Sequence, residues 1–468
     1  GTLVGVLPGL GPVGAISILL PLTFQLPPAG AIIMLAGIYN GAMYGGSTTS
    51  ILINVPGEAA SAVTCLDGYA MARKGRAGTA LGIAVFGSFI AGTVGLIGLQ
   101  LIGGPLSVLA LKFGPPEYFA IILMGFTFIV YLAQGSMIKA VLMALAGILL
   151  SLIGLDPITS EQRFTFGNIH LFEGLSVVPL AIGLFGLAEV FVNLEKTAPA
   201  RVLQVKIKNM FPNKSQWLRA RWAIVRGTVI GFFMGILPGG GPVLSTFMAY
   251  GVEKRVSKHP EKFGHGAIEG VAAPESANNA AASTSFIPLM TLGIPPNVVL
   301  AVLFGAFMIH GVTPGPLLMT QHPEIFWGVI ASMYMGNVIL LILNLPLIPL
   351  WVQVLRIPDK ILYPLIVLFC LLGAYSVHNS VFDIGVMLLF GMVGYLLNKF
   401  DFEPAPLVLG FVLGPLFEVN LRRSLLMSQG SFAIFVERPI ALVALIVCVI
   451  LIILPFIQAI RKTSRPIS

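Results

Sequence analysis

The sequence contains few charged residues, which account for 10% of its 468 positions, whereas 56% are hydrophobic. Soluble globular proteins typically carry about 25% charged residues, so the composition excludes that class. Apolar runs at 29–55, 77–106 and 175–194 approach or exceed the roughly 20 residues that span a bilayer as a helix. These runs lack the alternating pattern of an outer-membrane barrel. The sequence therefore predicts an all-α, polytopic integral membrane protein with about 10–12 spans.

Cysteine is also scarce, and Cys65, Cys370 and Cys448 stand alone in or beside apolar sequence. Their spacing matches neither a disulfide framework nor a metal site. The chain also lacks a His-Glu-x-x-His motif, paired aspartates in an apolar run, and a glycine-rich loop that continues into Gly-Lys-Ser or Gly-Lys-Thr. These absences weigh against a membrane-embedded enzyme and indicate no organic cofactor. That enzyme class stays open as an alternative, as does a gated channel for small anions.

The net charge of +8 does not indicate a nucleic-acid partner. The basic residues are concentrated in short segments beside apolar runs, which is typical of the positive-inside bias of membrane proteins. The partner that this distribution indicates is therefore the lipid bilayer, not nucleic acid.

A proline and glycine cluster occurs twice, as Leu-Pro-Gly-Leu-Gly-Pro at 7–12 and Leu-Pro-Gly-Gly-Gly-Pro at 237–242. Each cluster should interrupt a hydrophobic helix, because proline removes a backbone donor and glycine tolerates unusual dihedral angles. The flanking charge changes sign between the copies: 73–76 is basic where 310–315 has no Lys or Arg, and 253–262 is basic where 23–28 has none. The pattern predicts two inverted repeats with broken or re-entrant helices.

The boundaries follow from this duplication. Residues 1–195 form the first transmembrane repeat, 196–221 a basic cytoplasmic linker, and 222–468 the second transmembrane repeat. The sequence opens at Gly1 inside an apolar run, so we expect the N-terminal end of the first helix to be missing. The segment 403–423 contains three prolines, which leaves open whether it is a re-entrant pair or a span.

Polar residues beside the breaks are the candidate binding groups. Backbone N–H groups freed at the breaks suit an anion, while hydroxyl and amide side chains offer donors and acceptors. Hydroxyls also mediate ordinary helix packing, and the second polar run could instead be a cytoplasmic loop. The predicted substrate-binding residues are Gly9, Gly11, Thr48, Thr49, Ser50, Asn54, Gly239, Gly240, Gly241, Ser276, Asn278, Asn279 and Ser283. A coupling sodium ion would be held by Asn54, Asn279 and Thr284.

These motifs together resemble the large permease subunit of the tripartite tricarboxylate transporters, the TctA family. The first-half motifs are at 5–12, 44–61 and 66–78, and the second-half motifs are at 235–242, 274–281 and 291–295. One position departs from the family pattern, since Pro296 stands where glycine is more usual after Gly-Ile-Pro.

The resemblance implies a secondary transporter of the bacterial inner membrane that imports citrate-like di- or tricarboxylates. It implies a sodium or proton gradient as the driving force. The implied partners are a small four-helix membrane subunit and a periplasmic solute-binding protein, and a homodimer is compatible with it. The resemblance implies a transporter and not an enzyme.

Overall fold

The computed structural model describes residues 1–7, 11–131, 136–195, 210–354 and 358–463. The chain forms two compact units, each built from separate stretches of sequence. The first unit comprises residues 1–108 and 178–396, and the second comprises 109–177 and 397–468. These units describe packing, whereas the repeats 1–195 and 222–468 divide the sequence by similarity, so the inverted repeats stay a prediction.

Helices dominate the described residues, which confirms the all-α membrane class. The two strands, β1 (Gly154–Leu155) and β2 (Gln162–Arg163), form one short antiparallel hairpin. Short 3-10 turns cover Leu20–Gln25, Ala59–Ser61, Ile169–Leu171 and Pro260–Lys262, and π-helical turns cover Cys65–Tyr69 and Ile182–Leu187. The α-helices are α1 Thr2–Val6, α2 Gly11–Leu19, α3 Pro28–Ile53, α4 Ala62–Thr64, α5 Ala70–Arg73, α6 Ala77–Ala110, α7 Pro115–Tyr131, α8 Met137–Ser151, α9 Val177–Ala181, α10 Ala188–Glu195, α11 Lys214–Ile236, α12 Gly241–Val256, α13 Glu269–Thr284, α14 Phe286–Leu292, α15 Val298–Ile309, α16 Leu318–Gln321, α17 Pro323–Asn344, α18 Ile348–Val354, α19 Asp359–His378, α20 Val381–Lys399, α21 Pro404–Met427, α22 Ile434–Glu437 and α23 Pro439–Thr463.

Six helical segments of the described chain are long and apolar enough to cross a membrane, and several shorter apolar helices accompany them. The segment that the sequence left open, 403–423, lies in the single helix α21, which continues through Pro415. The six long segments are Ala77–Ala110, Val177–Glu195, Pro323–Asn344, Lys360–His378, Val381–Lys399 and Pro404–Met427.

Both predicted helix breaks occur. The first separates α1 from α2, and residues 8–10 at its centre, including Gly9, lie outside the described residues. The second separates α11 from α12, where Gly239 and Gly241 adopt positive φ angles of 79° and 78°. Glycine is the residue that adopts this conformation without a steric penalty, so it permits the chain to leave one helix and enter the next.

The predicted linker 196–221 contains the start of a helix. Helix α11 begins at Lys214, and its N-terminal end is fixed by Asn213 and Gln216. The Asn213 side chain accepts a hydrogen bond from the Gln216 backbone N–H at 2.9 Å, and the Gln216 side chain accepts one from the Asn213 N–H at 2.8 Å. This reciprocal cap satisfies two donors that a helix start would otherwise leave free. Residues 196–209 of the linker lie outside the described residues.

Small residues bring α11 and α13 together in the first unit. Gly227 and Gly231, one turn apart on α11, face the backbone of Ala273 and Ala277 on α13. A Cβ atom on either glycine would overlap an alanine carbonyl oxygen. Such small-residue contacts let two membrane helices approach closely, where van der Waals packing stabilises the pair.

In the second unit, the loop after α8 is held by an ion-pair cluster at Asp156. The Asp156 carboxylate pairs with Arg163 and with Arg422 of α21, the latter at 2.7 Å. Burial alone would raise the pKa of Asp156. Hydrogen bonds from the Thr159 and Ile158 backbone N–H groups and the two guanidinium groups outweigh it and hold the pKa well below its usual range. The cluster fixes the β1–β2 hairpin to the C-terminal part of α21.

Candidate functional site

Helix α13 lies at the centre of the candidate site. Every residue from Gly270 to Thr284 is buried, although the helix carries a carboxylate, two amides and several hydroxyls. Glu275, Ser276, Asn278 and Asn279 each expose 4% of their surface or less. The alternative of a cytoplasmic loop is therefore wrong for these residues. Polar groups buried in the interior of a membrane protein mark a functional site by default, because their desolvation is costly.

The first half contributes a turn that follows α3. Asn54 ends α3 in the left-handed conformation, with φ 58°, and the chain turns back through the 3-10 turn Ala59–Ser61 into α4. Glu58 begins this turn, and its carboxylate accepts the Ala60 backbone N–H at 2.5 Å. The Ser50 hydroxyl donates to the Ser61 carbonyl at 3.0 Å and fixes the turn to the end of α3. The turn contacts both α12 and α13.

Glu275 joins α13 to this first-half structure. Its Oε2 accepts a hydrogen bond from the Ser47 hydroxyl of α3, and its Oε1 accepts one from the Thr64 hydroxyl of α4, both at 2.5 Å. The carboxyl group therefore holds three helices at one point. Among the described residues, the side-chain groups that hydrogen-bond to the Glu275 carboxyl group are neutral hydroxyls.

Asn278 makes a second connection, one turn along α13. Its Nδ2 donates to Glu58 Oε1 at 3.2 Å, so the two buried carboxyl groups are linked to the same face of α13. The Asn278 Oδ1 atom and the Ser276 hydroxyl are buried without a hydrogen-bond partner in the described structure. Unsatisfied buried polar atoms are rare in native proteins, so these two indicate a ligand position.

A polar cavity lies on the neighbouring side of α13. Asn279 donates to the Ser88 hydroxyl of α6 at 2.7 Å, and the Tyr44 hydroxyl donates to Asn337 Oδ1 of α17 at 2.5 Å. Helices α3, α13 and α17 place amides and hydroxyls around one space within the first unit, and α6 adds Gly92 and Leu96. Its lining is formed by Asn40, Tyr44, Gly92, Leu96, Asn279, Ser283, Met333, Asn337 and Leu340.

The second helix break packs against another interruption of the second half. The Gly239 N–H donates to the Pro296 carbonyl at 2.9 Å, and the Gly240 N–H donates to the Leu237 carbonyl at 2.9 Å. Asn297 lies beside Gly241 and begins α15 by accepting the Leu300 N–H. Two backbone donors of the break are therefore already used. The donors left for an anion are the N–H groups of the first turn of α12.

The structure brings some predicted site residues together and separates others. Asn278 contacts the first-half turn, Ser50 supports it, and Asn279 and Ser283 line the cavity. Thr48 and Thr49 are buried on α3, and the Thr49 hydroxyl donates to the Gly46 carbonyl. A Cβ at Gly11 would meet no atom within 4 Å.

In the described part of the chain, no hydrogen bond joins the three side chains predicted to hold sodium, and this set stays a prediction. Asn54 is exposed at the end of α3, whereas Asn279 is buried. The Thr284 hydroxyl donates to the Ala280 carbonyl of its own helix and faces Gly235 of α11. Among the described residues, no group of three or more His, Cys, Asp or Glu side chains is arranged to hold a metal ion.

Sequence reasoning did not select several residues of the site. Glu275 lies in the second polar run, and burying such a run in hydrocarbon is costly, so the run itself was a signal. Glu58 follows a Pro-Gly pair, and that pair was a weaker signal. The Tyr44 and Asn337 pair is separated by 293 positions, and no pattern in one sequence connects them.

Comparison with known proteins decides the family. The model of the tripartite tricarboxylate transporter TctA family matches residues 1–409. The chain belongs to the TctA family. TctA proteins form a transporter family, so this chain is a transporter subunit by descent, and the membership agrees with the multi-pass helical fold.

Two TctA-like relatives come from Agrobacterium vitis. One is an uncharacterized 52.8 kDa protein of the TAR-I ttuC' 3' region, 53% identical over 464 residues, which cover 98% of this chain and 92% of the relative. The other is an uncharacterized protein of the TAR-II ttuC' 3' region, 56% identical over 234 residues, or 49% of this chain and 97% of the relative. No solved structure matches the chain.

Proposed function

We propose that this TctA-family chain is the large membrane subunit of a secondary transporter that imports di- or tricarboxylates such as citrate across the bacterial inner membrane. A sodium or proton gradient drives uptake. A periplasmic solute-binding protein delivers the substrate, and a small four-helix membrane subunit completes the system. The family membership supports the transporter class, and the buried polar face of α13 supports the position of the site.

One observation carries the proposed position of the substrate. The cavity beside α13 is lined by amides and hydroxyls from three helices in the first unit, including Asn279, Ser283, Tyr44 and Asn337. Amide and hydroxyl groups donate hydrogen bonds to carboxylate oxygens without a fixed positive charge. Such a site binds a carboxylate weakly enough to release it, which a carrier requires at each turnover.

The break before α12 supplies a further contribution. The first turn of α12 has free N–H groups, and the helix dipole places partial positive charge there. Broken helices near the middle of a transporter point such ends at anionic groups of the substrate. In our proposal, the residues Gly239–Gly241 position the start of α12, and the hydrogen bond from Gly239 to the Pro296 carbonyl holds the two interruptions together.

Thermal unfolding in the presence of carboxylates tests direct recognition. We expect citrate, succinate or malate to raise the melting midpoint of the purified chain in detergent, with acetate as the monocarboxylate control. A ligand at about 100 times its Kd stabilises the folded state by about 2.7 kcal/mol. Each ligand is measured in sodium and in choline buffer, which separates a sodium requirement from carboxylate binding.

The matched variants are Asn279→Ala, which removes an amide from the cavity, and Asn398→Ala, which removes an exposed amide at the end of α20. We expect the first variant to lose most of the ligand-induced shift and the second to keep it. If no di- or tricarboxylate raises the melting midpoint of the wild-type chain, direct recognition by this subunit is wrong.

A further inference from the structure

The buried carboxylates of the described chain differ in how their charge is compensated. Glu253 exposes 3% of its surface and pairs with Arg226 at 2.7 Å. Asp156 pairs with two arginines, and Glu117 lies 3.8 Å from an Arg438 nitrogen. An ion pair of this kind keeps a carboxylate ionised, because the cation offsets part of the cost of burying the charge.

Asp67 is compensated in another way. It is fully buried and accepts hydrogen bonds from the backbone N–H groups of Gly264, Gly266 and Ala267 and from the Tyr250 hydroxyl, at 2.7–3.0 Å. A backbone N–H can only donate. All four contacts therefore use the Asp67 oxygens as acceptors.

Glu275 has neither kind of compensation. It exposes 1% of its surface, and the side-chain partners of its two oxygens are the hydroxyls of Ser47 and Thr64. A hydroxyl can donate or accept. The ionised carboxylate accepts from both hydroxyls, and the protonated acid donates to one and accepts from the other. The same four oxygen atoms therefore satisfy the group in both protonation states without a change of position.

A second observation shows that the surroundings of Glu275 are incompletely satisfied. Asn278, three residues along α13, directs its amide at Glu58, and its Oδ1 atom is buried with no hydrogen-bond partner in the described structure. The hydroxyl of Ser276, the residue after Glu275, is also buried without a hydrogen-bond partner. The unused oxygen atoms of Asn278 and Ser276 can therefore accept hydrogen bonds from a proton-donating ligand.

We propose that Glu275 is the proton-carrying residue of this subunit. The proposal rests on the proposed function, because it assigns the coupling ion of the same transport cycle. One O–H bond forms on a Glu275 carboxyl oxygen when a proton enters, the same bond breaks when the proton leaves on the other side, and no other bond changes. Protonation reverses the direction of one hydrogen bond between α13 and α3 or α4, which links the proton to the carboxylate site.

Three other titratable groups lie near Glu275. Tyr44 of α3, Glu58 of the turn and Cys65 of the π-helical segment lie close enough to feel its charge. Helix α6 contains no titratable side chain. On the packed helices, Arg219 pairs with Glu269, Arg226 pairs with Glu253, and the Tyr250 hydroxyl donates to Asp67. The other basic residues of α11 and α12 are exposed: Lys214, Arg221, Lys254 and Arg255.

Infrared spectroscopy of the lipid-reconstituted chain tests the proton site without a transport assay. We expect the wild type to show the carbonyl band of a buried carboxylic acid, and Glu275→Gln to lack that band. The spectra are recorded between roughly pH 5 and pH 9, where exposed carboxyl groups with pKa values near 4 stay ionised. Glu324→Gln, which removes a 61% exposed carboxylate, is the control and should keep the band. A band that survives in Glu275→Gln, or disappears in Glu58→Gln instead, overturns the proposal.

Transport in proteoliposomes that contain the partner subunits gives the second readout. A gradient of about one pH unit, coupled to one proton, can drive about tenfold accumulation of labelled citrate. We expect Glu275→Gln to lose this accumulation and to keep exchange of citrate across the membrane, because glutamine imitates the protonated acid. Accumulation by Glu275→Gln equal to the wild type overturns the proposal, as does loss of exchange with an unchanged melting midpoint.

The two assays separate this inference from the function on which it rests. If the wild type moves neither citrate, succinate nor malate but its infrared band depends on Glu275, the proposed function fails and the proton site stands. If the wild type accumulates citrate from a sodium gradient alone and Glu275→Gln does the same, the proposed function stands and the proton site fails.

Discussion

Replacing Gly231 with alanine is expected to destabilise the protein, although alanine is the better helix former by about 1 kcal/mol. A Cβ at this position would overlap the carbonyl oxygen of Ala277 and lie 2.8 Å from its Cα. Both atoms belong to the backbone of α13, so the helices must separate to admit one methyl group. We expect a loss of at least about 2 kcal/mol, measured as a lower melting midpoint by tryptophan fluorescence in detergent.

The matched control is Gly336→Ala on α17. A Cβ at Gly336 would meet no atom within 4 Å, so the substitution should be neutral or slightly stabilising. Equal melting midpoints for Gly231→Ala and the wild type would contradict the close contact of α11 and α13.

Replacing Asp67 with alanine should have an effect of similar or larger size. The substitution leaves the N–H groups of Gly264, Gly266 and Ala267 without their acceptor. A buried donor left without a partner costs about 1–3 kcal/mol, and the Ala267 donor is buried while those of Gly264 and Gly266 are partly buried, so we expect a loss of about 2–3 kcal/mol. The measurement is the melting midpoint together with the rate of proteolysis in the loop that precedes α13.

Asp67→Asn retains one acceptor oxygen and should fall between the wild type and alanine. Glu261→Ala, in the same loop region but 65% exposed, is the control and should leave the midpoint unchanged. A melting midpoint for Asp67→Ala that matches this control would show that the three backbone bonds are not needed.

Local features of the sequence predicted the helix breaks well. Proline and glycine act on their own backbone, so the interruptions at 7–12 and 237–242 could be inferred without knowledge of the fold. The break at 237–242 also explains why Pro296 is tolerated in place of glycine. Its contribution is a carbonyl that accepts the Gly239 N–H, and proline retains that carbonyl.

The sequence did not predict the roles of residues whose contacts are with distant parts of the chain. Asp67 lies near Arg73 and Lys74 in the chain, yet its carboxylate accepts hydrogen bonds from a loop about 200 positions away. Glu275 stands in a polar run that fitted either a cytoplasmic loop or a buried helix. Its burial and its two hydroxyl partners, 228 and 211 positions away, decide between these interpretations.

The contacts of α13 give the candidate site a physical basis. Its glycine and alanine contacts with α11 are tight, whereas its polar face meets α3 and α4 through single hydrogen bonds. Packed small residues resist movement, and isolated hydrogen bonds to hydroxyls exchange partners at low cost. We therefore expect α11 and α13 to move together during transport, and the contacts with α3 and α4 to change.

The most direct test of carboxylate transport is uptake of labelled citrate by membrane vesicles that carry this chain with its partner subunits. We predict saturable uptake that depends on a sodium or proton gradient, and its loss in Asn278→Ala at an unchanged melting midpoint. Gly239→Leu should also lose uptake, because leucine does not tolerate the positive φ angle of the second break. Full uptake by both variants would contradict the assigned site, and the absence of gradient-dependent uptake of citrate, succinate and malate by the wild type would contradict the transporter function itself.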